Sequence, residues 1–337
     1  MRRRIFIAGL GCVLTVRTVS THAQQGERMR RIGVLTSLVA DDRETKARNA
    51  VFVQSLRQLG WIDGQNIRID FRGATNPDHV RQYAAELVAL APDVILSSGT
   101  AVTGPLVQAT RTVPIVFVQV IDPVGAGFVS TLSRPGGNAT GFSTQEYSMG
   151  GKWLELLKEI APSVKRVAVI RDPSISAGPA QFAAIQAMAP SVGVELSPLS
   201  IGDGAEIEHS LSSYASGSNS GLIVTASASA LAHRELITSM ALRYKLPAIY
   251  FQRPFVTGGG LISYGPDVID PYRRVAGYVD RILRGEKPAD LPVQQATKVE
   301  LVINLKTAQS LGSSARDAAR ARRRGNRIDW MMSAIGP

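Results

Sequence analysis

The residues of this chain that could do chemistry gather at the ends of apolar runs. Thr36 and Ser37 close "RRIGVLTS" (30–37), and Ser98, Gly99 and Thr100 close "DVILSSGT" (93–100). Gln119 and Asp122 close "VPIVFVQVID" (113–122). Further on, Arg171 closes "KRVAVIRD" (165–172), Thr225 and Ser227 close "GLIVTASA" (221–228), and Phe251 with Gln252 closes "LPAIYFQ" (246–252). Small residues at such ends leave hydroxyls and backbone N–H groups open where the next helix starts, which suits a ligand carboxylate. Asp122 can accept from a ligand ammonium or cap the next helix, and the residues leave both readings open. Pro123 stops the strand and turns the chain, so the acid stays at the rim. After it the chain reads as a small-residue helix and a "RPGGN" turn. Phe251 and Tyr264 offer flat faces for stacking, or they pack within the fold.

Other chemistries find no support in the spacing. The histidines are His22, His79, His209 and His233, with no pair at metal-ligand spacing. No G-x-x-x-x-G-K-[ST] phosphate loop occurs, and "GPAQFAAIQ" reads as the start of a helix. No G-x-S-x-G elbow is present. No catalytic group, metal or cofactor is therefore expected. Catalytic and binding folds overlap, so a two-domain enzyme remains an alternative that turnover of a bound ligand would establish.

Alternating elements must position these ends. Phe52, Leu56 and Leu59 share one helical face within 45–60, and Val80, Tyr83, Ala84, Leu87 and Val88 make a second stripe. "NIRIDFR" (66–72) alternates as a strand does. Strands alternating with helices imply parallel sheets covered on both faces, and ligands bind outside the carboxyl ends of such strands. The second half repeats the first. "KRVAVIRD" echoes "RRIGVLTS", "GLIVTASA" echoes "DVILSSGT", and "LPAIYFQ" echoes "VPIVFVQ". Three echoes in order argue for two lobes of one design. "NATGFST" (138–144), ending at Thr144, reads as a crossing into the second lobe. "GGGLISYG" (258–265) reads as the return, with Tyr264 on it, and leads to a helix striped by Tyr272, Val275, Ala276, Val279 and Leu283. "KVELVINLK" (298–306) reads as a third crossing.

The stretches "FVQVIDPVGAGFVSTLSRPGGNATGFS", "GLISYGPDVIDPYRRVAGYVDRILRGEKPADLPVQQ" and "KVELVINLKTAQSLG" resemble the ABC-transporter substrate-binding proteins of the tryptophan/tyrosine type, over about residues 28–311. The resemblance implies a type I periplasmic-binding-protein fold: two Rossmann-like α/β lobes with parallel sheets, joined by a three-segment hinge. It implies capture of a small organic solute, an amino acid (aromatic ones included) or a related carboxylate, by hinge closure. It also implies delivery to a membrane ABC permease with its ATPase, by a monomer. A periplasmic sensor for a membrane signalling partner is the rival reading. The lobes are expected at 30–143 plus 262–285 and at 144–261 plus 286–311. The proposed ligand contacts are Thr36, Ser37, Ser98, Gly99, Thr100, Gln119, Asp122, Thr144, Arg171, Thr225, Ser227, Phe251, Gln252 and Tyr264.

The ends carry their own information. "MRRRIFIAGLGCVLTVRTVSTHAQQ" has arginines, an apolar run from Ile5 to Val16 and a Thr21-x-Ala23 site, the layout of a signal peptide cut after Ala23. Arg3-Arg4-Ile5-Phe6-Ile7 also fits a twin-arginine export signal. The run is short of the roughly 20 residues that span a bilayer, and Gly9 disfavours a lipoprotein cut at Cys12. A periplasmic location follows, and removal of Cys12, the sole cysteine, leaves no disulfide to hold the fold. A chain of 337 residues can bury a core large enough without one. The net charge of +11 is concentrated at the ends: four arginines in 1–23, and six arginines against two aspartates in 312–337. The body is nearly balanced, so nucleic acid is not expected as a partner. The Arg/Ala-rich tail from 312 to 337 lacks a helical stripe and is expected to be disordered. The resemblance stops before it.

Overall fold

The computed structural model describes residues 28–144, 149–175, 177–215, 217–295 and 298–312. The expected signal segment and all of the tail beyond Gly312 lie outside the described residues. The chain begins β1 (Arg30–Thr36), α1 (Arg43–Gln58), β2 (Ile67–Gly73), α2 (Pro77–Ala89), β3 (Val94–Ser98), α3 (Thr100–Ala109), β4 (Ile115–Val120) and β5 (Ala139–Ser143). It continues α4 (Met149–Ile160), β6 (Arg166–Arg171), α5 (Ala177–Val192), β7 (Glu195–Ser200), α6 (Gly204–Tyr214), β8 (Ser220–Val224), α7 (Ala228–Ala232), α8 (Arg234–Arg243), β9 (Ala248–Tyr250), α9 (Arg253–Thr257) and β10 (Ile262–Pro266). Then come α10 (Asp270–Leu283), β11 (Gln294–Gln295), β12 (Val299–Ile303) and α11 (Leu305–Ser310).

These strands form two six-stranded sheets, in the orders β2-β1-β3-β4-β5-β11 and β7-β6-β8-β9-β10-β12. All neighbouring pairs run parallel except β10 with β12. The echoed segments occupy matching places: β1 and β6, β3 and β8, β4 and β9. The fully buried runs of β3 and β8 sit in the middle of their sheets, as continuous apolar strands must.

Helical stripes cover the faces. On one face of the first sheet Phe52 and Leu56 of α1 meet Tyr272, Val275 and Val279 of α10 over Val116 and Val118. On the other, Val80, Ala84 and Leu87 of α2 and Leu106 of α3 pack on Ile95 and Phe117. The second lobe is built around Trp153, whose Nε1 donates to the backbone oxygen of Tyr264 at 2.6 Å.

Two boundaries differ from expectation. The strand at 262–266 belongs to the second sheet, pairing with β9 and β12, and not to the first. The glycines before it make a turn within the second lobe. Gly259 has φ +106, and a Cβ on Gly260 would lie 2.5 Å from Tyr250 Cε2 and 2.8 Å from the Phe255 oxygen. The return crossing comes after Pro266, where Asp267 Oδ1 accepts from the N–H groups of Ile269 (2.8 Å) and Asp270 (3.2 Å). Conversely, residues 286–295 stay with the first lobe. Leu291 is buried in its core, Thr140 Oγ1 donates to the Leu291 oxygen, and β11 pairs with β5. The third crossing falls between β11 and β12. The stretch after Pro123 is not a helix but a tight turn, held by bonds such as Ala126 N–H to the Asp122 oxygen at 3.0 Å.

Gly141 is where β5 approaches β4 most closely: φ is +152, and a Cβ would fall 2.0 Å from the Phe117 oxygen. Backbone cannot yield as a side chain does, so Gly141→Ala is expected to lower stability by about 2 kcal/mol or more, measured by urea unfolding. On β12, burial raises the pKa of the half-buried Glu300, Asp267 adds to the rise and Arg253 opposes it. A carboxyl whose folded pKa is raised penalises folding once pH exceeds its ordinary 4.5, and costs nothing well below it. Glu300→Gln should therefore raise the melting temperature at pH 7, and the gain should fade as pH drops through 4.5. An unchanged gain at pH 3 would contradict this.

Candidate functional site: an interlobe cleft

The carboxyl ends of both sheets face a shared cavity of about 220 Å³, far above the ~10–15 Å³ that one water needs on the same measure. The first lobe lines it with Ser37, Ser98, Gly99, Thr100, Gln119 and Thr144, and the second with Ser227, Phe251 and Gln252. These nine were all expected from strand ends. Leu38, Val80, Pro105, Ile121, Ile175 and Leu231 add an apolar wall. An apolar wall with a few convergent polar groups suits a small organic ligand.

Local geometry aims these residues. Gly99 has φ +111, and Ser37 Oγ lies 2.4 Å from where a Cβ would stand, so glycine is required there on both counts. Gln119 has φ 56 at the irregularity between Phe117 and Val120 in the β4–β5 register. A bulge of this kind re-aims a side chain, and Gln119 points into the cavity. Thr100 Oγ1 accepts from Ile121 N–H at 3.1 Å, which leaves its O–H free to donate. Ser98 Oγ is hydrogen-bonded to Tyr272 OH. Ser227 Oγ accepts from Ala230 N–H at 3.0 Å, capping α7. Phe251 packs edge-on to Phe255 at 5.4 Å.

Five expected contacts lie outside the cavity wall. Thr36 Oγ1 donates to the Leu38 oxygen at 2.8 Å and faces a smaller cavity behind the cleft. Thr225 is fully buried and donates to the Ile170 oxygen at 2.9 Å. Arg171 stacks its guanidinium on Phe182 at 5.3 Å. Asp122, at φ 46, accepts from Gly125 N–H at 2.8 Å within the turn that stands where a helix was expected. Tyr264 is 8% exposed, and burial with Glu155 nearby raises its hydroxyl pKa. The first four side chains found a partner within their own lobe before reaching the cleft, and Tyr264 packs in the core of the second lobe.

Several lining residues had no strand-end signal. Arg48 comes from α1, Ser174 and Ile175 from the β6–α5 turn, and Ser229 and His233 from around α7, while Asp172 is the last residue of "KRVAVIRD". Asp172 Oδ1 accepts from Ser174 N–H (3.0 Å) and Oγ (2.5 Å). Polar bonds join the lobes across the cleft. Arg48 Nη2 donates to Gln252 Oε1 at 3.2 Å, and Gln252 Nε2 donates to Gln119 Oε1 at 3.3 Å. At the rim Arg234 Nη1 meets Asp42 Oδ2 at 2.8 Å, with side chains only 15% and 11% exposed. Among the described residues no cluster of three or more His, Cys, Asp or Glu is placed to hold a metal ion.

Two parallel-sheet lobes, three crossings and a ligand-sized cleft at the facing strand ends define a two-lobed solute receptor of the type I periplasmic-binding fold. The chain belongs to the family described as ABC transporter substrate binding protein, whose profile matches residues 31–322. It is 29% identical over 286 residues to the "Tyrosine-binding protein" of Clostridioides difficile (strain R20291), covering 85% of this chain and 81% of that one. The structure of an ABC domain in complex with L-Trp from Streptococcus pneumonia is 26% identical and covers 86% of this chain and 98% of its own, with a TM-score of 0.78. The ligand-free, open structure of a substrate binding protein with adhesive properties from Clostridium difficile is 27% identical and covers 85% and 95%, with a TM-score of 0.63. At like identity, this chain overlays better on the complex than on the open form. The chain is thus an ABC substrate-binding protein built for solute capture in its cleft, and its family is one of transport proteins.

The Asp42–Arg234 pair joins the lobes where closure needs it. Removing one side takes away a charge-assisted bond of about 1.5–3 kcal/mol. Arg234→Gln should shift the unliganded protein toward open by about tenfold or more, and small-angle scattering should show a larger radius of gyration. An unchanged radius would mean that the pair does not hold the lobes.

Proposed function

We propose that this chain is the periplasmic receptor of an ABC importer for an aromatic amino acid. It would be exported with cleavage after Ala23, work as a monomer, and hand its solute to a membrane permease with its ATPase. The observation that carries the reading is the pairing, in one cavity, of polar strand ends from both lobes with an apolar wall. Hydroxyls and amides of Ser37, Thr100, Gln119 and Gln252 suit the polar end of an amino acid, while Ile121, Ile175, Leu231 and Phe251 suit a ring. A relative named as a tyrosine-binding protein and a structural neighbour solved with L-Trp support the same class. The bonds that join the lobes in this structure support its reading as the closed form. The lobes on this reading are 30–144 with 267–295, and 149–266 with 298–311.

A thermal-shift screen of the chain from Gln24 against the twenty amino acids and small aromatic acids tests it. L-tyrosine or L-tryptophan at 100 times its Kd should add about 2.7 kcal/mol of stability, with aliphatic amino acids weaker by at least tenfold. A shift only with sugars or polyols would overturn the ligand class, and turnover of the bound compound would overturn the receptor role.

A further inference from the structure

Arg48 is a cation at the cleft with too few partners. It is 5% exposed and lines the cavity from α1. Its Nη2 donates to the neutral Gln252 amide at 3.2 Å. The carboxylate of Glu44 is 3.9 Å away, beyond hydrogen-bond distance, and Arg48 Nε has no partner among the described residues. A buried charge compensated so weakly is costly unless another group arrives to meet it. Gln119 stands beside it, because Gln252 bonds to both. Gln119 Nε2 is likewise buried without a partner, and its backbone holds the sparsely populated φ of 56. Such strain often marks a ligand clamp. The third feature is the N-terminus of the ten-residue helix α3, where Gly99 supplies no side-chain cap and the first turn has no acid. Gly99 N–H bonds to the Val118 oxygen, next to Gln119, so this helix end adjoins the same corner. Guanidinium, amide donor and helix end thus turn positive potential toward one side of the cavity. The acid in the lining, Asp172, lies in the other lobe and is held by Ser174.

We propose that Arg48 and Gln119 form an anion subsite that takes the carboxylate of the bound solute between the guanidinium and the start of α3. The same guanidinium then ties the solute to the second lobe through Gln252, so that recognition of the acid and lobe closure share one side chain. This rests on the solute-receptor reading above and adds the chemical group it selects and the residues that select it.

The test compares the parent, Arg48→Gln and Gln119→Leu by calorimetry and thermal shift. The probes are L-tyrosine, L-tyrosinamide, sodium acetate and acetamide at constant ionic strength. The parent should bind L-tyrosine at least about tenfold tighter than L-tyrosinamide, and Arg48→Gln should lose about tenfold or more for the acid and little for the amide. Gln119→Leu should lose severalfold in the same sense. If Arg48→Gln does not fold, the acid–amide comparison on the parent and Gln119→Leu decides the matter. Equal binding of acid and amide by the parent, or tyrosine binding by a folded Arg48→Gln that matches the parent, overturns the subsite and leaves the receptor reading standing. If tyrosine does not bind but acetate, unlike acetamide, raises the melting temperature of the parent and not of Arg48→Gln, the subsite stands and the aromatic reading falls. No response of the parent to either acid overturns both.

Discussion

A parallel sheet must be buried on both faces, and its strands all end at one edge. That pair of facts governs this molecule. The first lobe does not cover its sheet with its leading helices alone. The long stripe of α10, with Tyr272, Val275 and Val279, comes from beyond the second lobe to close the core of the first. The chain must therefore leave the first lobe, build the second and come back. The crossings that result bring the two open strand edges face to face. The cleft is a consequence of how the cores are covered.

The edges are alike in topology and differ in chemistry. The first lobe supplies the irregular β4 with Gln119 at φ 56, the α3 start at Gly99 and the buried Arg48. The second supplies caps and apolar surface, with Ser227 holding α7 and Phe251 packed on Phe255. Gln252 mediates between them by accepting from Arg48 and donating to Gln119. A solute entering such a site meets donors that are already oriented. Less ordering is then needed on binding, and this favours selectivity.

Much of this was legible beforehand. The echoes at 30–37 and 165–172, 93–100 and 221–228, and 113–120 and 246–252 fall on matching strands because matching burial demands matching apolar runs. Nine of the strand-end residues reach the cavity for the same topological reason. Thr36, Thr225 and Asp122 do not, because a short polar side chain next to its own backbone finds a local partner first. Ile262–Pro266 reads as part of the first lobe and lies in the second sheet, because the glycines before it signal a turn without saying to which sheet the chain turns.

By itself, the sequence determined the elements, their order and the duplication. Apolar period and strand-end residue types act over a few neighbours, and these are written locally. Tertiary structure alone decided what Arg48 meets. In "RETKARNAVFVQSLRQ" it stands one turn before Phe52, on the face that Phe52 and Leu56 share, and the spacing does not say what covers that end. It becomes a cleft residue only when the second lobe brings Gln252, 204 positions away, onto that face. Contact between residues so far apart depends on where the crossings set the lobes, and no local pattern encodes that.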